Sequence, residues 1–280
     1  MRHGVPGARP VVVVQTWHNE QARFADLSAA LGDTELWSIL PPDPPDDEPP
    51  RRVEHWVDRA EAVLATLPVE PPVRILGWSF GGVVGLELAR RLRDRGVPVA
   101  FVGMIDTTRP RLRPVDDAEY VWFHLGAAAA MSERSARLPY LWHRLLFLVW
   151  RRFPRTGRLF ERTTYRLGLR SRPPRPPLAA PPDPLQAAIH VSYLNYQGAP
   201  VPFPVTLFAT RPSLARRPEP ALRWAGQLHG GFELTVVDGD HEGLFDPEHI
   251  RSLATALRRS LDRADEDLGA EGQARATSAS

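Results

Sequence analysis

The sequence predicts an α/β fold, a mostly parallel central sheet flanked by helices, with a helical segment inserted into it. Three observations carry this. Short β-branched or apolar runs alternate with stretches of helical apolar spacing from Val11 to Ile105, and again from Val205 to Leu261. Between them the alternation stops and aromatic-rich helical spacing takes over. The chain has 280 residues, 43% of them hydrophobic, enough for one sizeable core.

The elements follow in order. Val11–Val14 is a β-branched run of the kind that forms a buried parallel strand. Phe24, Leu27 and Leu31 have helical spacing, and Glu35–Ile39 reads as a second strand. Pro41–Pro50 is a proline- and acid-rich loop. Val53–Leu67 places Val53, Trp56, Val57, Ala60, Val63, Leu64 and Leu67 on one helical face. Val73–Leu76 is a strand, Gly82–Arg95 a helix and Val99–Ile105 a strand. From Pro110 to about Pro200 no strand is evident, only the helical stretches Tyr120–Met131 and Leu138–Phe153 and the proline-rich Arg172–Pro184. The core pattern resumes with strand Val205–Ala209, helix Ala221–Leu228, strand Phe232–Val237 and helix Pro247–Leu261. The expected boundaries are 1–109 and 204–263 for the two parts of the core, 110–203 for a helical lid insertion and 264–280 for a disordered tail, small and polar in composition.

Composition excludes several chemistries. There is no cysteine, so disulfides, thiolate metal sites and cysteine nucleophiles are out. The net charge is +2, which gives no whole-molecule field for nucleic acid. All 35 basic residues are arginine. The first ten residues are polar and turn-rich, unlike a signal peptide, and the apolar run Leu145–Trp150 is far shorter than the ~20 residues a spanning helix needs. A cytoplasmic protein is expected.

The chemistry centres on Gly77-Trp78-Ser79-Phe80-Gly81, a G-x-S-x-G sequence between a predicted strand and a predicted helix. In such a turn strand and helix nearly touch, so the positions two before and two after the serine must be small. The strained backbone lifts the Ser79 hydroxyl clear of the sheet and leaves the Phe80 N–H free to stabilise an oxyanion. This resembles the nucleophile turn of the α/β-hydrolase architecture. The serine needs a histidine base, and the base a carboxylate. His241, in the polar loop after Phe232–Val237, has the expected order for the base. Asp106, directly after Val99–Ile105, is the candidate acid, although an aspartate ending a strand can also be a simple turn former. Ala209–Ser213 offers no carboxylate, and Glu219 is the nearest one beyond it. Asp240 adjoins His241, but adjacent side chains diverge. His190 and His229 read as surface or packing residues.

Gly77-Trp78-Ser79-Phe80-Gly81-Gly82, the following helix, the strand ending Met104-Ile105-Asp106 and the loop Gly239-Asp240-His241 leading to Leu244-Phe245 resemble the thioesterase domains of non-ribosomal peptide and polyketide synthases. The likeness covers Val11 to about Asp106 and Pro204 to about Leu261. It implies a Ser79–Asp106–His241 triad, no cofactor of its own, and a substrate carried on the phosphopantetheine arm of a carrier protein. It implies that the insert is a lid over an acyl channel. An acid after this strand is similar to the chain-releasing members. One feature departs from the family. The loop after the first strand, there glycine-rich and supplying a second oxyanion donor, is here Gln15-Thr16-Trp17-His18-Asn19-Glu20. The Trp17 N–H falls at the donor position. His18 and Asn19 read as solvated loop residues or as additional polar site groups.

Between Arg134 and Arg175 there are twelve arginines against a single acid, Glu161, interleaved with apolar and aromatic residues from Tyr140 to Phe153. An arginine-faced surface helix, a basic dock for an acidic carrier protein and a membrane-surface helix all fit this pattern. The expected activity is a serine thioesterase releasing an acyl, polyketide or peptidyl chain by hydrolysis or cyclisation. A lipase or esterase acting on free esters is the enzymatic alternative. A non-catalytic binding protein is the alternative of another class.

Overall fold

The four valines of the first long strand divide between two cores. Val11 and Val13 pack with one set of helices, Val12 and Val14 with another, as side chains alternating across a strand must when both faces are covered. In a computed structural model of the chain the described residues are 2–3, 9–17, 20–40, 52–110, 184–216 and 220–278, with positions 121, 125, 138, 141 and 142. The chain forms two compact units, Met1–Leu112 with Pro184–Ser280, and Arg113–Asp183. The first carries everything described below.

Its elements are β1 (Arg2–His3), β2 (Val11–Val14), α1 (Glu20–Leu31), β3 (Leu36–Ile39), α2 (Val53–Leu64), β4 (Val73–Trp78), α3 (Phe80–Asp94), β5 (Val99–Ile105), α4 (Pro184–Asn195), β6 (Val205–Thr210), α5 (Arg211–Arg216), β7 (Phe232–Val237) and α6 (Ile250–Ser278), with 3-10 turns at Pro220–Arg223 and Gly243–Phe245. The sheet order is β1-β3-β2-β4-β5-β6-β7, parallel throughout except for β1. One core layer joins α2 and α3 to the sheet through Trp56, Val57, Val83 and Val84, and the other joins α1 and α6 through Phe24, Leu27, Leu253 and Leu257. Each such buried side chain contributes about 1.5–3 kcal/mol.

The order positions the site. From β2 the chain moves to β3 on one side and then to β4 on the other, so the loops after β2 and β4 diverge above a crevice. Val14 pairs with Gly77, which sets the two loops side by side at the carboxyl ends of their strands, where open α/β sheets bind ligands.

Four features differ from the sequence expectation. Helix α1 begins at Glu20, four residues before Phe24, because Glu20 bonds back to the preceding loop. Residues 184–195, placed in the insert, form α4 within the core unit, opened by a proline whose missing N–H costs nothing in a first turn. The expected helix over Ala221–Leu228 is only a 3-10 turn, since Ala221, Leu222 and Arg223 take left-handed φ values of 51, 51 and 73°. The tail expected to be disordered continues α6 as far as Ser278. Alanine, arginine and glutamate favour helix there, and Asp265 forms an ion pair with the buried Arg74. The predicted loop Pro41–Pro50, the helical stretches of the lid insertion apart from positions 121, 125, 138, 141 and 142, the arginines of that insertion, His18, Asn19 and Glu219 lie outside the described residues. No helix among the described residues is long and apolar enough to cross a membrane.

Candidate active site

Ser79 sits between β4 and α3 with φ 53° and ψ −120°, a left-handed backbone for a residue with a side chain. The close packing that enforces this is explicit. A Cβ on Gly77 would collide with the Gly81 carbonyl, one on Gly81 with the Val14 carbonyl, and one on Gly82 with the Thr107 hydroxyl. The Ser79 N–H is tied to the Ile105 carbonyl at 2.9 Å, so the turn is fixed to β5 as well. Phe80 opens α3, where a backbone N–H has no acceptor within the helix.

His241 arrives from the loop after β7. Its Nε2 lies 3.1 Å from Ser79 Oγ and its Nδ1 2.7 Å from Asp106 Oδ2. The carboxylate accepts the Nδ1 proton, which leaves the Nε2 lone pair to accept the serine hydroxyl. Asp106 is 2% exposed and has a φ of 43°. Its N–H donates to the Phe208 carbonyl at 2.6 Å. Its Oδ1 accepts the Thr210 N–H at 3.0 Å and the Thr210 hydroxyl at 3.3 Å, and its Oδ2 accepts the Ser213 hydroxyl at 2.6 Å. Burial works to raise the Asp106 pKa, but the bonds from His241, Ser213 and Thr210 outweigh it and hold the carboxyl below its ordinary value.

Trp78 supports the histidine. Its ring lies 5.1 Å from the imidazole at 32°, its other contacts being an edge-on Phe245 at 5.4 Å and the Arg23 guanidinium 4.5 Å above it. Arg23 also pairs with Glu242 at 2.7 Å. Asp240 accepts the N–H groups of Glu242 and Gly243, at 3.2 and 2.8 Å. The cavity above Ser79 has a volume of about 570 Å³, with Trp17, Arg23, Phe80, His190, Tyr193 and His241 among its lining residues.

Ser79, Asp106 and His241, chosen from the sequence, thus lie in one hydrogen-bonded chain, and Asp240 does not join it. Trp17 and Phe80 both line the cavity, and the Glu20 N–H donates to the Trp17 carbonyl at 3.3 Å. His190, read from sequence as a surface or packing residue, lines the cavity. Sequence reasoning missed Arg23, Tyr193, Thr210 and Ser213. The stretch Ala209–Ser213 holds no carboxylate of its own, and its hydroxyls serve the carboxylate that follows the neighbouring strand. Among the described residues Asp246, Glu248 and His249 bring three metal-competent atoms within 4.8 Å of one another. His249 Nδ1 there faces the Gly243 carbonyl at 3.0 Å, and none of the three lines the cavity.

Residues 11–141 match the family described as "Thioesterase domain". The chain is 27% identical over 232 residues to an orsellinic acid synthase, ArmB, of Armillaria ostoyae, covering 80% of this chain and 9% of that one. It is 38% identical over 101 residues to enterobactin synthase component F of Escherichia coli O157:H7, covering 35% of this chain and 8% of the relative. The chain therefore spans less than a tenth of the length of these relatives. Among solved structures, the RedJ thioesterase from the prodiginine pathway of Streptomyces coelicolor superposes with a TM-score of 0.57 at 20% identity, over 92% of this chain and 93% of that one. That structure shares the mostly parallel sheet flanked by helices. By sequence match over residues 11–141 the chain is similar to the thioesterase domain family, and its mostly parallel sheet flanked by helices is the α/β-hydrolase fold of solved thioesterase domains.

Proposed function

We propose that the chain is a serine thioesterase that releases an acyl, polyketide or peptidyl chain from the phosphopantetheine thioester of a carrier protein. The observation that carries this reading is the unbroken relay from Ser79 Oγ through His241 to Asp106 at the floor of an open cavity. Ser79 Oγ attacks the thioester carbonyl while its proton passes to His241 Nε2. Asp106, held ionised by its donors, stabilises the imidazolium. The N–H of Phe80, joined by that of Trp17, receives the oxyanion. Collapse expels the thiolate, which takes the proton from His241, and leaves an ester on Ser79. Water or a nucleophile of the chain itself then attacks that ester, with His241 again as base, to give hydrolysis or cyclisation. No cofactor enters these steps. The arginine-rich stretch between Arg134 and Arg175 supplies a dock of the right sign for an acidic carrier.

The test is intact-mass analysis after incubation with a panel of acylated carrier proteins. The wild type should gain the acyl mass on Ser79 or turn it over. Ser79→Ala, with an unchanged circular dichroism spectrum, should do neither. A folded Ser79→Ala variant hydrolysing thioesters at near wild-type rate would remove Ser79 from the mechanism.

A further inference from the structure

Two adjacent residues of α1 grip the loop that delivers His241. Glu242 follows His241 directly, and its carboxylate accepts a hydrogen bond from Arg23 Nη2 at 2.7 Å, across 219 residues of sequence. Phe24 packs edge-on against Phe245 at the far end of the same loop, with ring centroids 5.4 Å apart. Between these two points the loop is stiffened from within. The Asp240 carboxylate accepts the Glu242 and Gly243 N–H groups, and the Leu244 N–H donates to the Asp240 carbonyl at 3.0 Å.

Arg23 reaches the imidazole by a second route. Its guanidinium carbon lies 4.5 Å from the centre of the Trp78 ring, and that ring packs against His241 at 5.1 Å. Arg23, Trp78, His241 and Glu242 all line the cavity above Ser79. A surface tether would not need this placement. Glu242 is 69% exposed, but Arg23 is only 26% exposed, and its Nη1 is buried with no hydrogen-bond partner among the described residues. A half-exposed ion pair gains too little to offset a buried, unsatisfied donor. A planar guanidinium, however, can cover a ring and bond a carboxylate at once.

We propose that Arg23 is a positioning residue for His241, fixing its loop through Glu242 and its ring through Trp78, so that Nε2 stays within reach of Ser79 Oγ. This rests on the reading of Ser79 as nucleophile and His241 as its base. Asp106 alone does not suffice for the task. Its bond to Nδ1 fixes one atom of a ring that is a third exposed, and the ring can still pivot about that atom. Contact with Trp78 on the ring and a tether on the next residue remove the pivot. The base comes from a loop rather than from a helix or strand, and α1 supplies the rigid element behind it.

The experiment times the labelling of Ser79 by an uncharged alkyl fluorophosphonate, read by intact mass on the full chain over a range of probe concentrations. The Oγ–P bond forms, the P–F bond breaks, fluoride leaves with the electron pair, and the serine proton passes to His241. Arg23→Gln should lower the maximal labelling rate about 10- to 100-fold, as a base misplaced by a fraction of an ångström would. The half-saturating probe concentration should stay within about twofold. In a His241→Ala background there is no base left to position, so adding Arg23→Gln should change the residual rate by less than about twofold. An equal loss in both backgrounds would place Arg23 against the probe or in the cavity wall and overturn the proposal. A folded Arg23→Gln variant labelling at wild-type rate, or one changed only in half-saturating concentration, would do the same. If Arg23→Gln does not fold, Glu242→Gln carries the test. It cuts the loop route alone, and should slow labelling about three- to tenfold in the wild type and not at all in His241→Ala. A wild type that does not label, or a His241→Ala variant that labels at wild-type rate, defeats the reading of Ser79 and His241 itself, a result distinct from the others.

Discussion

Asp106 shows how a single residue can be legible in role and illegible in support. Its place after an apolar strand marked it as the candidate acid, because a carboxylate in that position needs only the strand to end. What surrounds it could not be read along the chain. Thr210 and Ser213 lie more than a hundred residues away, and they meet Asp106 only because β6 pairs beside β5. The same holds for Arg23, which reaches the site by stacking on Trp78. A variant can separate the two kinds of residue. Ser213→Ala removes one of the donors that hold Asp106 ionised and oriented, while leaving Ser79, His241 and the cavity floor in place. A hydrogen bond to a charged group is worth about 1.5–3 kcal/mol, so kcat on a small thioester should fall about 10- to 100-fold, with KM little changed. Equal losses in binding and turnover would mean that Ser213 shapes the cavity instead.

At the scale of elements, near-continuous apolar runs located strands such as β2 and β4, which are buried on both faces, and helical spacing located α2, whose buried Val53, Trp56, Val57, Ala60 and Leu64 form one stripe. Spacing failed where a helix owes its existence to something other than its apolar stripe. The extension of α6 past Leu261 is such a case. Ala264 packs only partly on the core, and Asp265 joins Arg74, whose side chain is 7% exposed. Arg74 Nη1 also donates to the Arg9 carbonyl at 3.1 Å, so this one guanidinium ties the C-terminal helix to the segment entering β2. Asp265 is half exposed and screened by solvent, so Asp265→Ala should lower stability by about 1 kcal/mol in urea unfolding. A change below about 0.5 kcal/mol would show the pair to be surface decoration. The turn at Ala221–Arg223 failed in the other direction. Its composition favours helix, but Trp224 is fixed by an Nε1–H bond to the Thr107 carbonyl at 2.9 Å, and the backbone bends to allow it.

For the whole molecule, the sheet order was foreseeable in class but not in detail. Strand–helix alternation implies a parallel sheet, whereas the reversal at β2 that opens the crevice depends on pairings that no local pattern encodes. Charge distribution gives the prediction at this scale. If the arginines between Arg134 and Arg175 steer an acidic carrier, the association rate with a carrier-bound substrate should fall steeply as salt shortens the Debye length from about 10 Å at 0.1 M. Turnover of a small uncharged thioester should change little. Arg151→Gln, Arg152→Gln and Arg155→Gln together should reproduce the high-salt behaviour for the carrier substrate alone, glutamine keeping comparable helix propensity. Stopped-flow measurements on both substrates check this, and equal losses on the two would reassign these arginines to structure.

The hydrogen bonds of the relay span 162 residues from Ser79 to His241 and 135 from Asp106 to His241. The serine turn between β4 and α3 needs only β2 and β5 beside it, all complete by Ile105. His241 arrives only after β7, an edge strand of the sheet. On the proposed reading of Ser79 as nucleophile, a half-folded chain would hold that serine with nothing to take up its proton, and its reactivity would wait until the far edge of the sheet had docked.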